Sequence, residues 1–173
     1  MEMLYKPSVI SPFTPSPSLI GKIVLTMNID NWNYKLGMVY YTYPNARDDF
    51  NYEFFEFDLA LGYDFGPFSS TASLRLSPNY FANSGLTKYY TLETKVPITD
   101  KVKAIGHIAY REIEDNAAFY GFPDNADWAL GAEYNLTDHV KLIGKYVDSN
   151  FDTKTICPDT CNERLITGIS YTF

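Results

Sequence analysis

Apolar and polar side chains alternate with a period of two along most of this chain, in segments about ten residues long that are separated by turn residues. Residues 1–18 are rich in Pro and Ser and predict an extended lead-in. Residues 19–29 are apolar, but their apolar and polar positions alternate poorly. This segment could be a strand, a plug or part of a missing region. The pattern predicts strands at about 32–43, 51–65, 67–77, 87–97, 101–111, 126–136, 139–149 and 163–173.

One face of each predicted strand is apolar with aromatic ends, and the other face carries charge, Gly and Ser. In the segment 51–65, for example, Phe57 and Leu59 alternate with Glu56 and Asp58. A lipid-facing strand has this alternation, with aromatic girdles where it leaves the membrane. A soluble sandwich or a lipocalin-like barrel also has one wet face, so both stay as alternatives.

The predicted connections alternate between long and short. Long loops follow the first, third, fifth and seventh of the eight strands, whereas the intervening turns, such as Thr99-Asp100 and Thr137-Asp138, are tight. Outer-membrane barrels have long loops outside the cell and short periplasmic turns. We therefore predict an all-β, antiparallel transmembrane β-barrel of about eight strands over residues 19–173, or the C-terminal part of a wider barrel, with its C-terminus on the periplasmic side.

Charged side chains fall on the predicted lumen face of this barrel. Glu56 and Asp58 share a face and could form an acid/base pair, but ion pairing inside the barrel is the simpler interpretation. An eight-stranded barrel would be plugged by such pairs, whereas a wider one would use them to tune ion selectivity. The predicted lumen residues are Lys35, Glu56, Asp58, Arg75, Glu93, Lys95, Lys103, His107, Arg111, Asp127, Glu133, Lys141, Lys145 and Arg164.

Composition narrows the class of protein. No apolar run approaches the roughly 20 residues of a membrane-spanning helix, and the prolines near the start do not fit a secretory signal. The net charge of −7 argues against nucleic acid as a partner, since phosphate binding needs clustered Lys and Arg.

Two cysteines, Cys157 and Cys161, lie close together in one predicted loop. A disulfide between them would indicate an oxidising compartment such as the periplasm or the cell surface. Free thiols are the second interpretation. A zinc site is the third, because no further Cys or His pair accompanies them and zinc usually takes four ligands.

Short aromatic motifs give the chain a resemblance to a known family. Tyr40-Tyr41-Thr42-Tyr43-Pro44, Tyr52-Glu53 and Leu76-Ser77-Pro78-Asn79-Tyr80-Phe81 resemble the TorF-type porin family of proteobacterial outer-membrane proteins. The resemblance covers about residues 32–173. It implies a porin-like role, but it carries over no binding residue, and the front of the chain departs from the longer family pattern.

No motif for catalysis or cofactor binding is recognisable. The sequence has no phosphate-cradling Gly loop, no Gly-x-Ser-x-Gly elbow and no His-Glu-x-x-His helix, and we expect neither enzyme activity, a cofactor nor a metal. We expect His107 to take part in a polar network rather than in catalysis.

Three functions remain: a porin-like barrel for small solutes or ions, a non-conducting barrel acting through its loops, and a soluble ligand-binding barrel. For the first two we expect the bacterial outer membrane as the location and its lipid as a partner. The barrel assembly machinery is a further expected partner, with Tyr171 and Phe173 as its signal.

Overall fold

The computed structural model describes residues 19–43, 52–117, 123–150 and 163–172, and in this part of the chain the fold is almost entirely β. One 3-10 turn, Phe81–Asn83, interrupts the strands. The predicted all-β antiparallel class is confirmed. The strands are β1 (Leu19–Ile29), β2 (Trp32–Thr42), β3 (Phe54–Asp64), β4 (Ser69–Ser77), β5 (Thr87–Pro97), β6 (Val102–Ile113), β7 (Asn125–Asn135), β8 (Val140–Ser149) and β9 (Arg164–Tyr171).

The nine strands of the described residues form one sheet in sequence order, each pairing antiparallel with the next. Side-chain hydroxyls hold the tight turns. The Thr99 hydroxyl accepts a hydrogen bond from the Val102 amide at 3.0 Å, and the Thr137 hydroxyl accepts one from the Val140 amide at 2.9 Å. These local bonds satisfy backbone donors that have no ladder partner in the turn, which keeps the connections short.

The prediction of about eight strands is one short. Leu19–Ile29 pairs along its whole length with β2 and is a strand. Its alternation is weak because Val24, opposite Gly37, places an apolar side chain on the same face as Lys22 and Thr26. The other eight strands lie within a few residues of their predicted positions, and β5 ends at Pro97, as expected for a residue without a backbone donor.

The predicted barrel is not closed. Within the described residues the sheet runs from β1 to β9, and these two edge strands pair with no further strand. With nine strands in a meander, β1 and β9 run in the same direction. Closing the sheet would therefore need a parallel pairing, unlike every other pairing in the fold.

The described segments contain no helix that is long and apolar enough to cross a membrane.

The sheet is curved, with its polar face on the concave side. The Lys145 ammonium on β8 lies 3.0 Å from the Glu93 carboxylate on β5, although β6 and β7 run between these strands. In a flat sheet their backbones would be about 14 Å apart. Tyr89 of β5 likewise donates to Asp127 of β7 across β6 at 2.9 Å. Side chains of strands that are not neighbours can meet in this way only when the sheet curves and brings the residues of its concave face together.

Candidate functional site

The convex face carries exposed large apolar side chains on every described strand except β4, where Ala72 is exposed and Leu74 and Leu76 are half-buried. Leu130 in the middle of β7 is 61% exposed, Ile108 in β6 is 59% exposed and Ile169 in β9 is 75% exposed. Their neighbours in the chain, such as Ala129 and Ala109, are buried on the opposite face. In the strands, most of the large apolar side chains thus lie outside and most of the charged ones inside, the reverse of an ordinary soluble core.

All fourteen predicted lumen residues lie at concave-face positions of the strand register. The register places Asp58 opposite Arg75, Glu93 opposite His107 and Lys103 opposite Glu133, so the predicted polar face is continuous from strand to strand. Ion pairs, together with the contact between the His107 ring and Asp127, bring ten of these residues together. They are Glu56, Asp58, Arg75, Glu93, Lys95, His107, Asp127, Glu133, Lys141 and Lys145.

A network of three lysines and two glutamates occupies the concave face toward the short turns. Lys95 lies 2.8 Å from Glu133 and 3.5 Å from Glu93. Lys145 adds a contact of 3.0 Å to Glu93, and Lys141 one of 3.5 Å to Glu133. Each glutamate is therefore shared by two lysines. Such sharing satisfies charges that curvature has partly removed from water.

A second network lies toward the long loops. The Arg75 guanidinium contacts Asp58 at 2.5 Å and Glu56 at 3.7 Å. Further along the face, Asp127 accepts a hydrogen bond from the Tyr89 hydroxyl and lies 3.3 Å from the His107 ring. This position fits the structural role expected for His107.

Lys35 and Lys103 stand apart from both networks. They lie on the concave face, exposed, and form no ion pair with any residue that the structure describes. Arg111, in contrast, places its guanidinium 4.8 Å from the centre of the Tyr89 ring, a cation–π contact. Arg164 lies opposite Val147 at the start of β9.

An aromatic cluster lies at the long-loop end of β2, β3 and β4, and sequence reasoning did not identify it as part of the site. We call it the aromatic cap and define it as Tyr43, Tyr52, Phe54, Tyr80 and Phe81. The Phe81 ring stacks on Tyr52 at 4.4 Å with an interplanar angle of 1°, and Tyr80 meets Phe54 edge-on at 4.6 Å. The sequence signal was that four of its five residues, Tyr43, Tyr52, Tyr80 and Phe81, lie in the short aromatic motifs that carry the resemblance.

Local backbone geometry turns the loop after β4 inward. Ala82 and Asn83 both have positive φ, 59° and 57°, which reverses the chain directly after Phe81. Gly85, with φ of 74°, passes so close to Glu114 that an added Cβ would lie 2.6 Å from its carboxylate. That carboxylate accepts the Leu86 amide hydrogen bond at 2.7 Å. The loop is thus fixed to the segment after β6.

Two titratable groups at the margin of the cap have shifted pKa values. Burial is the main cause that raises the pKa of Tyr43, to about 12. Glu53 accepts hydrogen bonds from the Thr42 and Tyr40 hydroxyls, each at 2.7 Å, and these bonds lower its pKa. Glu53 therefore stays ionised and links the end of β2 to the segment before β3.

Three of the predicted residues lie outside the described part of the chain: Cys157, Cys161 and Phe173. Tyr171, the other half of the expected assembly signal, ends β9 and is 58% exposed. Among the described residues, no group of three or more His, Cys, Asp or Glu could hold a metal ion.

Comparison with known proteins places the chain in a family but gives no activity. None of the curated proteins matches it. A family model described as a bacterial protein of unknown function (Gcw_chp) matches residues 23–173, which includes nearly every strand and both networks. The chain therefore belongs to the Gcw_chp family of bacterial proteins.

Proposed function

We propose that this protein is an outer-membrane β-barrel that passes small solutes or ions, in the manner of a porin. The observation that carries the proposal is the apolar convex face, which is exposed on nearly every described strand and lies opposite a charged concave face. A soluble protein rarely exposes a contiguous apolar surface of more than a few hundred Å². Lipid chains are the environment in which such a face is stable.

The concave face favours the passage of solutes or ions over a purely structural role. Lys35 and Lys103 are exposed there without an acidic partner, a state that requires contact with water. The alternation of long loops with short turns also supports a porin-like function. So does the resemblance to TorF-type porins. Unpaired backbone edges are costly in lipid, so the proposal includes pairing of the β1 and β9 edges in the membrane, with each other or with further strands.

A non-conducting barrel is the second candidate, and the aromatic cap favours it. Phe81 and Tyr52 are both more than nine-tenths buried at the long-loop end, where a solute would have to leave. Together with the ion pairs, the cap would leave the interior filled, as in the smallest barrels. In that case the long loops would carry the function.

Reconstitution separates the two candidates. The protein, refolded into liposomes and then fused to a planar bilayer, is expected to give discrete conductance steps in potassium chloride. Protein that is inserted and protected from protease, yet silent, would favour the non-conducting barrel. Protein that stays in solution without detergent would contradict both and favour the soluble ligand-binding barrel.

Leu130→Arg tests the membrane location of the convex face. In water, an arginine at a position that is 61% exposed would change the free energy of unfolding by no more than about 0.5 kcal/mol. At the middle of a lipid-facing strand it costs about 2–4 kcal/mol. We expect the second result, measured as the urea midpoint of protein refolded in lipid vesicles.

Leu136→Arg is the matched control. Leu136 is 50% exposed and lies just beyond the end of β7, at the turn to β8, where a membrane interface would be. There the cost of arginine falls to about 0–1 kcal/mol. Equal urea midpoints for the two variants would argue against a lipid-facing β7.

A further inference from the structure

The concave face has a charge opposite to that of the chain as a whole. The chain carries a net charge of −7, with many of its acids in loops and turns. On the concave face of the described strands, bases outnumber acids. The bases are Lys22, Lys35, Arg75, Lys95, Lys103, Arg111, Lys141, Lys145 and Arg164, and the acids are Glu56, Asp58, Asp64, Glu93, Asp127 and Glu133.

The excess of positive charge is greatest toward the short turns. We call this part of the concave face the lysine vestibule and define it as Lys35, Lys95, Lys103, Lys141 and Lys145. Glu93 and Glu133 neutralise part of it through the contacts given above. Lys35 and Lys103 are left with no acid among the described residues, so their charges are available to a ligand.

Acids at the short turns do not cancel this field. Asp30, Asp100 and Asp138 lie in the turns, and Asp64 ends β3 at the edge of the concave face; all four are exposed. Exposed charges are screened within about 8–10 Å at physiological ionic strength. Charges that line a concave surface are screened less, because the low-dielectric wall concentrates their field on the space in front of them.

From this arrangement we propose that the lysine vestibule binds small inorganic anions of the phosphate type and makes the pore anion-selective. The second part rests on the porin-like function proposed above. Lysine suits this role because its ammonium is a compact charge on a flexible stem and can follow a mobile anion. Lys35 on β2 and Lys103 on β6 lie four strands apart in the sheet, and each is expected to contact an anion.

Phosphate binding tests the vestibule without requiring conduction. Inorganic phosphate is titrated into protein refolded in zwitterionic micelles at low salt and followed by calorimetry. We expect binding that weakens as salt rises, and a loss of about threefold in affinity for each of Lys35→Gln and Lys103→Gln, the size typical of one exposed charge contact. Neither change leaves a described acid without its partner.

Lys88→Gln is the matched control, since it removes the same charge from the convex face. Lys88 pairs with Glu112 at 3.4 Å and should leave phosphate affinity unchanged. Equal affinity for phosphate in Lys35→Gln, Lys103→Gln and unchanged protein would overturn the proposal, as would an equal loss in the control.

The selectivity of the channel for chloride over potassium is measured separately, from the reversal potential in a potassium chloride gradient. Wild-type channels are expected to favour chloride, and Lys103→Glu to shift the reversal potential toward that of potassium. Channels that favour potassium would overturn anion selectivity while leaving porin function intact. Phosphate binding by a protein that never conducts would overturn the porin function and leave the vestibule as a binding site.

Discussion

Phe81→Ala is expected to lower the free energy of unfolding by about 3–5 kcal/mol, the usual cost of removing a buried phenyl ring. The ring is 7% exposed and stacks face to face on Tyr52, with Tyr43 at 5.6 Å and Phe54 at 6.3 Å in edge contacts. Truncation would leave a cavity under a loop that is held inward by that ring. Urea unfolding followed by tryptophan fluorescence measures the loss.

Phe57→Ala is the control for this change. Phe57 is the same residue type, but its side chain is 39% exposed on the convex face of β3. A clearly smaller loss is expected there, because fewer contacts disappear. Similar losses for the two variants would mean that the aromatic cap does not pack as described.

The same substitution also distinguishes the candidate functions. If the cap narrows a conducting pore, Phe81→Ala should raise the conductance of each channel step, because the constriction loses one of its buried rings. If the barrel is plugged mainly by its ion-pair networks, the variant should stay as silent as the unchanged protein.

The sequence was sufficient to assign side chains to the two faces of the sheet. A period of two leaves each residue one choice of face once its strand is placed, and a shift of one residue would put Glu133 outside and Leu130 inside. The observed register has Glu133 on the concave side and Leu130 exposed on the convex side. Strand positions followed from the same signal, except in β1, where Val24 weakens it.

Contacts across the curved sheet could not be predicted in this way. That Lys145 meets Glu93 across two intervening strands depends on the curvature of the sheet, which alternation within one strand does not encode. The aromatic cap depends on left-handed backbone at Ala82, and alanine has no preference for that conformation. The number of strands and the closure of the sheet depend on its edge strands. The pairing partner of an edge strand is set by the whole fold, which the pattern within one strand does not encode.

Gly131 leaves room for the Lys145 side chain to pass over β7 toward Glu93. Gly131→Ala should therefore be strongly destabilising. Gly131 lies opposite Lys145 on β8, and an added Cβ would overlap the Gly144 carbonyl oxygen and lie 2.9 Å from the Lys145 Cα. Because these are backbone atoms, the strands themselves would have to move, which we expect to cost about 3 kcal/mol, the upper range of overpacking.

Gly106→Ala is the control that isolates this contact. Gly106 also lies within a central strand, β6, but a Cβ there would have no atom within 4 Å, and the change should be neutral or slightly stabilising. Urea midpoints of the two refolded variants give the comparison. Equal stability would show that β7 and β8 approach less closely than described. A loss confined to Gly131→Ala would support the close approach of β7 and β8 at Lys145.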